Sequence, residues 1–252
     1  MPEQSRPAQS SPEAVGVAPE IAELDGLDCR LEPAAWAFAR EQEAAIAAHW
    51  ARFVADKPTN FNGRVFLQHR WDFDGRIYRG RYLETDYASF IAWRDFGHPG
   101  APMRNGFAMA ALRARDGAFL LGVMGPGTAN PGRIYFAAGT PDPGDLLPDG
   151  RIDLAGSVLR ELEEETGLRP EEVHVGAGWR AVIDGTRAAF MRPVTIDLPA
   201  AEARRLILDR FAGLAHEELV DIHIVRGPED FVPGRMPPFQ IAYLADAFAR
   251  GG

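Results

Sequence analysis

The chain has 252 residues, 46% of them hydrophobic and 25% charged, which is the composition of a soluble globular protein long enough to bury a substantial core. A formal charge of −9 disfavours sequence-independent binding to nucleic acid or anionic lipid, and no apolar run approaches a bilayer span. Cys29 is the only cysteine, which excludes an intrachain disulfide and a thiolate zinc cluster and makes the cytoplasm the expected compartment.

The first residues, MPEQSRPAQSSPEAVGVAPE, lack the basic start and apolar stretch of a signal peptide. Their Pro, Ser, Ala and Gln content predicts a disordered lead-in over 1–24. Alanine, glutamate and spaced aromatics over 33–54 predict one amphipathic helix opened by Pro33, and KPTNFNG breaks it. RVFLQHRWDFDGRIYRGRYLE alternates apolar and polar residues on either side of Asp74 and Gly75, so a hairpin is expected. TDYASFIAWRDFG reads as a short helix capped by Thr85 or Asp86 and closed at Gly97. Together these form an N-terminal accessory layer over 25–100.

The remainder, 101–252, carries a second hairpin over 107–124 about Asp116 and Gly117, then a strand over 133–139. A loop, TPDPGDLLPDGRI, leads into the helix DLAGSVLRELEEETGL. A third hairpin over 176–198 turns at Asp184 and Gly185, followed by a helix over 199–213, a strand LVDIHIV and a closing helix over 238–249. Helices interspersed among hairpins predict an α/β or α+β sandwich with a mixed sheet rather than a doubly wound one.

The helix DLAGSVLRELEEETGL holds the chemistry. At 3.6 residues per turn, Glu161, Glu164 and Glu165 share one face, Glu163 points away, and Val158, Leu159 and Leu162 form the docking stripe. Gly167 stops the helix, so three carboxylates crowd its C-terminal end, where both their mutual repulsion and the macrodipole oppose them. A bound divalent cation removes both conflicts, and hard cations such as Mg²⁺ prefer oxygen ligands. A solvated acidic surface is the plainer reading of the charge run by itself.

RELEEETGL also matches, without a mismatch, the second half of the signature of the Nudix hydrolases, which the chain therefore resembles over about 104–226. The resemblance implies a Nudix-type α/β/α sandwich, with Mg²⁺ or Mn²⁺ as cofactor and hydrolysis of a nucleoside diphosphate linked to another group. It makes Glu161, Glu164 and Glu165 metal ligands, Arg160 the arginine that orients them, and Gly139 the glycine that opens the motif. The first half departs from the pattern: position 152 is Ile152, the nearest acid is Asp153, and the loop after Gly139 is long. Asp153 is either a ligand or only the helix cap, with capping preferred; the loop acids Asp142, Asp145 and Asp149 either supply a ligand or, as the plainer reading, form turns. Family members place the general base on a motif glutamate or a late loop, which makes Glu217 and Glu218 the candidates here, with His216 and His223 as bystanders.

NFNGRVFLQHR and DYASFIAWRDFG resemble, loosely, the N-terminal part of the UDP-glucose/UDP-galactose pyrophosphatase branch. That resemblance implies a UDP-sugar as substrate, with UMP and a sugar 1-phosphate as products. Asn130 and Arg133, in the loop GTANPGR, face either such a ligand or solvent. The alternative is a non-catalytic Nudix module that binds or senses a nucleotide sugar; no appended DNA-binding segment accompanies this motif. The expected partner is a small nucleotide, with neither nucleic acid nor membrane, and a homodimer is left open.

Overall fold

The computed structural model describes residues 18–214 and 218–251. In chain order the elements are β1 (Glu20–Leu24), β2 (Gly26–Leu31), α1 (Ala37–Glu41), α2 (Glu43–Asp56), β3 (Arg64–Asp74), β4 (Ile77–Asp86) and α3 (Tyr87–Asp95). There follow β5 (Asn105–Ala114), β6 (Phe119–Met124), β7 (Ile134–Tyr135), α4 (Leu154–Thr166), β8 (His174–Val175), β9 (Trp179–Asp184) and β10 (Arg187–Ile196). The chain closes with α5 (Ala200–Phe211), β11 (Leu219–Val225) and α6 (Pro238–Ala249). Among the described residues this is a mixed α/β protein with two mixed sheets and six helices.

The larger sheet runs β1-β9-β10-β5-β6-β11, with β7 on β6 and β8 on β10. Its centre is a parallel pairing of β10 with β5, registered from Arg187 opposite Asn105 to Ile196 opposite Ala114. Residue alternation assigns the two faces of β5. Ala108, Ala110 and Leu112 face α4 and α5, while Phe107, Met109 and Ala111 face α6. Both faces are thus buried, which explains why β5 and β10 read as nearly continuous apolar runs.

The smaller sheet, β2-β4-β3, lies against the first face and carries α1 to α3 on its outer side. Tyr78 packs edge-on against Phe190 with ring centroids 4.7 Å apart. Gln68, fully buried, donates to Tyr82 Oη and accepts from Tyr78 Oη, each at 2.7 Å, and Tyr82 Oη donates to the Gly106 carbonyl at 3.0 Å. This closed polar network ties the accessory sheet to the central one, where unpaired polar atoms would be costly. Burial pushes the Cys29 thiol up to about 12, which leaves it a packing residue.

Several expectations are corrected. Residues 20–24, read as lead-in, form β1, which pairs antiparallel with β9; residues 1–17 lie outside the described chain. The single helix expected over 33–54 is two, α1 and α2, divided at Gln42. The strand expected over 133–139 is only Ile134–Tyr135. No described helix is long and apolar enough to cross a membrane.

The α4–α5 side is pinned by an ion pair. Arg210 donates to both carboxylate oxygens of Glu172 at 2.8 and 2.7 Å, and to the Gly167 carbonyl at the end of α4 at 2.7 Å. These bonds hold the Glu172 carboxyl down at about 2, against an ordinary 4.5. A depressed carboxyl pKa stabilises the fold above 4.5, and that contribution fades as pH falls toward 2. Glu172→Gln is therefore expected to cost about 1–2 kcal/mol at pH 7. Urea titrations in acid should show the difference from wild type closing across that window; a difference independent of pH would refute the charge-based account.

Candidate active site

α4 is positioned by both its ends. Asp153 Oδ1 accepts from the Gly156 amide at 2.9 Å, and Gly167 terminates the helix in the left-handed region with φ 71°. Asp153 is thus the helix cap. It precedes Glu161 by eight positions, about 12 Å along the axis at 1.5 Å per residue, so it is not gathered with the motif carboxylates. Leu154, Val158 and Leu162 dock the helix on the central sheet.

The motif glutamates meet different surroundings. Glu165 is only 4% exposed; its Oε1 accepts from the Ala138 amide at 3.0 Å, and its Oε2 is buried without a hydrogen-bond partner. Burial raises its pKa well above the ordinary value, and nearby Glu218, Glu161 and Glu164 raise it further. The Glu161 side chain is 13% exposed and pairs with Arg160 Nη1 at 2.8 Å. Burial lifts its carboxyl to about 7, with Arg160 opposing and Glu164, Asp145 and Glu218 assisting. The Glu164 side chain is 59% exposed and takes a 3.1 Å bond from the same Nη1, while Glu163 is exposed, as its helical phase predicts.

Arg160 has a buried anchor that the motif does not contain. Its Nη2 donates to Asp145 Oδ1 at 2.9 Å, and Asp145 Oδ2 accepts from the Asp142 amide at 3.1 Å. Asp145 is 4% exposed. Sequence placed it among the loop acids with no sign of this role, because Asp142, Asp145 and Asp149 look alike until the loop folds back on α4.

Gly139 lies directly over Glu161. A Cβ built there would stand 2.2 Å from Glu161 Oε1 and 2.5 Å from its Cδ. Glu218 acts electrostatically on Glu161, Glu165 and Tyr135, and its carbonyl accepts from the Gly125 amide at 2.7 Å. Glu217 and His216 lie outside the described residues, and His223 Nε2 is engaged with the Asp230 carbonyl at 2.8 Å. Asn130 and Arg133 line a cavity of about 190 Å³ that also reaches Ala138 and Gly139.

Among the described residues, no three His, Cys, Asp or Glu side chains are already gathered to hold a metal ion. The expected trio is split: Arg160 draws Glu161 and Glu164, while Glu165 turns to the Ala138 amide. The donor set nevertheless fits a hard cation. Glu161 and Glu165 offer only oxygen ligands, and the unpartnered Glu165 Oε2 is a buried acceptor that a divalent cation would satisfy. Among the described residues, Arg160 pairs with Glu161 and Glu164 on α4.

No protein-family model matches the chain, and no curated protein matches it. Solved structures similar to it include a Nudix hydrolase from M. smegmatis, RenU, at 19% identity and a TM-score of 0.38, covering 58% of this chain and 87% of that one. The MutT protein from Methanosarcina mazei Go1 is 17% identical with a TM-score of 0.41, over 59% of this chain and 95% of that one. A Bacillus subtilis pyrophosphohydrolase, BsRppH, is 13% identical with a TM-score of 0.31, over 58% and 82%. These neighbours are Nudix hydrolases or similar pyrophosphohydrolases at low identity, too distant to carry the chemistry, which rests on the carboxylates themselves.

Proposed function

We propose that the chain is a Mg²⁺- or Mn²⁺-dependent hydrolase of the pyrophosphate bond in a nucleoside diphosphate-linked substrate. One observation carries the reading: a buried carboxylate, Glu165, with an unpartnered oxygen beside Glu161 and Glu218, at the C-terminal end of a helix. A bound cation supplies charge neutralisation at the phosphoryl oxygens. Asp145 holds Arg160, and Arg160 holds Glu161 and Glu164 in place. Glu218 takes the proton of the attacking water, whose oxygen joins phosphorus as the bond to the bridging oxygen breaks.

The finer reading is a UDP-sugar, giving UMP and a sugar 1-phosphate. It is supported by the two accessory segments quoted above, one of which supplies Tyr87 and Phe90 to the cavity wall. The alternative, a module that binds a nucleotide sugar without cutting it, draws on Arg160's hold over Glu161 and Glu164. A phosphate-release screen coupled to a phosphomonoesterase and an inorganic pyrophosphatase, over UDP-sugars, ADP-ribose, dinucleoside polyphosphates and dNTPs, separates the two. We expect turnover with Mg²⁺ and none in EDTA. Nucleotide binding without turnover of any substrate, in either Mg²⁺ or Mn²⁺, would select the binding module.

A further inference from the structure

We infer that the cavity beside Gly139 is a binding site for a nucleoside monophosphate unit that needs no metal, with the base among its aromatic rings and the phosphate on Arg94 and Arg187. The inference deepens the hydrolase reading and rests on it for which bond is cut.

Charge inverts at this cavity. The chain carries −9 overall, yet the lining includes Arg94, Arg133 and Arg187 and, among the described residues, no aspartate or glutamate. Asp95, which pairs with Arg94 at 2.8 Å, and Asp184, which stands 3.7 Å from Arg187, both lie outside the lining. Lys57, the sole lysine, donates to the Ala129 carbonyl at 3.0 Å; burial and nearby Arg94 hold its pKa below the ordinary value. Guanidinium groups bind phosphate through paired N–H donors, and a wall of three of them beside a set of carboxylates separates two kinds of ligand charge.

The rest of the wall is aromatic. Tyr87 and Phe90 come from α3, Phe107 from β5, Tyr135 from β7 and Phe239 from α6. Phe107 and Phe239 meet edge to face with centroids 5.8 Å apart, which fixes the floor. Aromatic walls with cationic corners suit a planar base bearing an anion. The lining's side-chain acceptors are amide and hydroxyl oxygens on Asn105, Asn130 and Thr140, which suit the ribose hydroxyls, while the flat aromatic faces suit the base. At about 190 Å³ the cavity falls below the roughly 300–1,000 Å³ that encloses a drug-sized ligand. It therefore holds one end of the substrate, while the scissile bond lies across Gly139 at Glu161.

Isothermal titration of UMP into the full chain in EDTA tests the site. Saturable binding is expected, weakened roughly tenfold or more in Arg94→Gln and in Arg187→Gln. Arg94→Lys should recover part of it, and Arg115→Gln, on the exposed β5–β6 turn, should change nothing. Ribose 5-phosphate should bind more weakly than UMP; equal binding overturns the assignment of the aromatic wall. A requirement for Mg²⁺, or an unchanged Kd in both arginine-to-glutamine variants, overturns the site. UMP binding in EDTA that is lost in those variants, with no substrate ever turned over, upholds the site and sinks the hydrolase reading alone. Turnover combined with arginine-independent UMP binding does the reverse.

Discussion

Glu165→Gln is expected to lower pyrophosphate hydrolysis by roughly a hundred- to a thousandfold, the range seen when a group organising charge at a reacting centre is removed. Fold stability should not fall with it. The glutamine Oε1 still accepts from the Ala138 amide, and a neutral amide in place of a buried acid removes the repulsion from Glu161 and Glu218. The melting temperature in EDTA should therefore equal or exceed that of wild type. Millimolar Mg²⁺ should raise the melting temperature of wild type and leave the variant unmoved, because a ligand stabilises only a fold that binds it. Glu164→Gln should cost less, since that side chain is mostly exposed and its ion pair is with Arg160. Undiminished turnover in the Glu165 variant would sink the metal assignment.

Local signals in the sequence mark most of this architecture. Asp153 and Gly167 bound α4, Asp86 caps α3 by accepting from the Ser89 amide at 2.9 Å, and Gly75 and Gly185 turn their hairpins at φ 61° and 57°. What the sequence conceals depends on distant partners. β1 finds β9 some 160 residues later, and β2 pairs in parallel with β4, so neither short strand announces its neighbour. The parallel union of β10 and β5 is equally silent, since two-sided burial erases the alternation that marks a strand. β7 stops early because the chain leaves the ladder after Tyr135: the Ala137 carbonyl accepts from Ala110, and the Ala138 amide serves Glu165. Asp145 is legible only once the loop has folded, when its carboxylate becomes the anchor for Arg160.

Gly139→Ala is the second large effect expected, and it separates catalysis from stability. The added methyl would stand 2.2 Å from Glu161 Oε1, 2.5 Å from Cδ and 2.8 Å from Oε2, so the whole carboxylate must move. The group displaced is the end of a flexible side chain, so the fold yields cheaply and stability should change by about 1 kcal/mol or less. The chemistry does not yield so cheaply, because a misplacement near 1 Å at a reacting centre costs roughly a hundredfold in rate. The loss should appear in kcat, with UMP binding in EDTA little changed, since Arg94 and Arg187 are untouched. Gly127→Ala, where a Cβ would meet only Thr59 Oγ1 at an ordinary 3.5 Å, is the matched control and should retain full rate. Equal kcat for both variants would show that Glu161 does not act from the position it holds against Gly139.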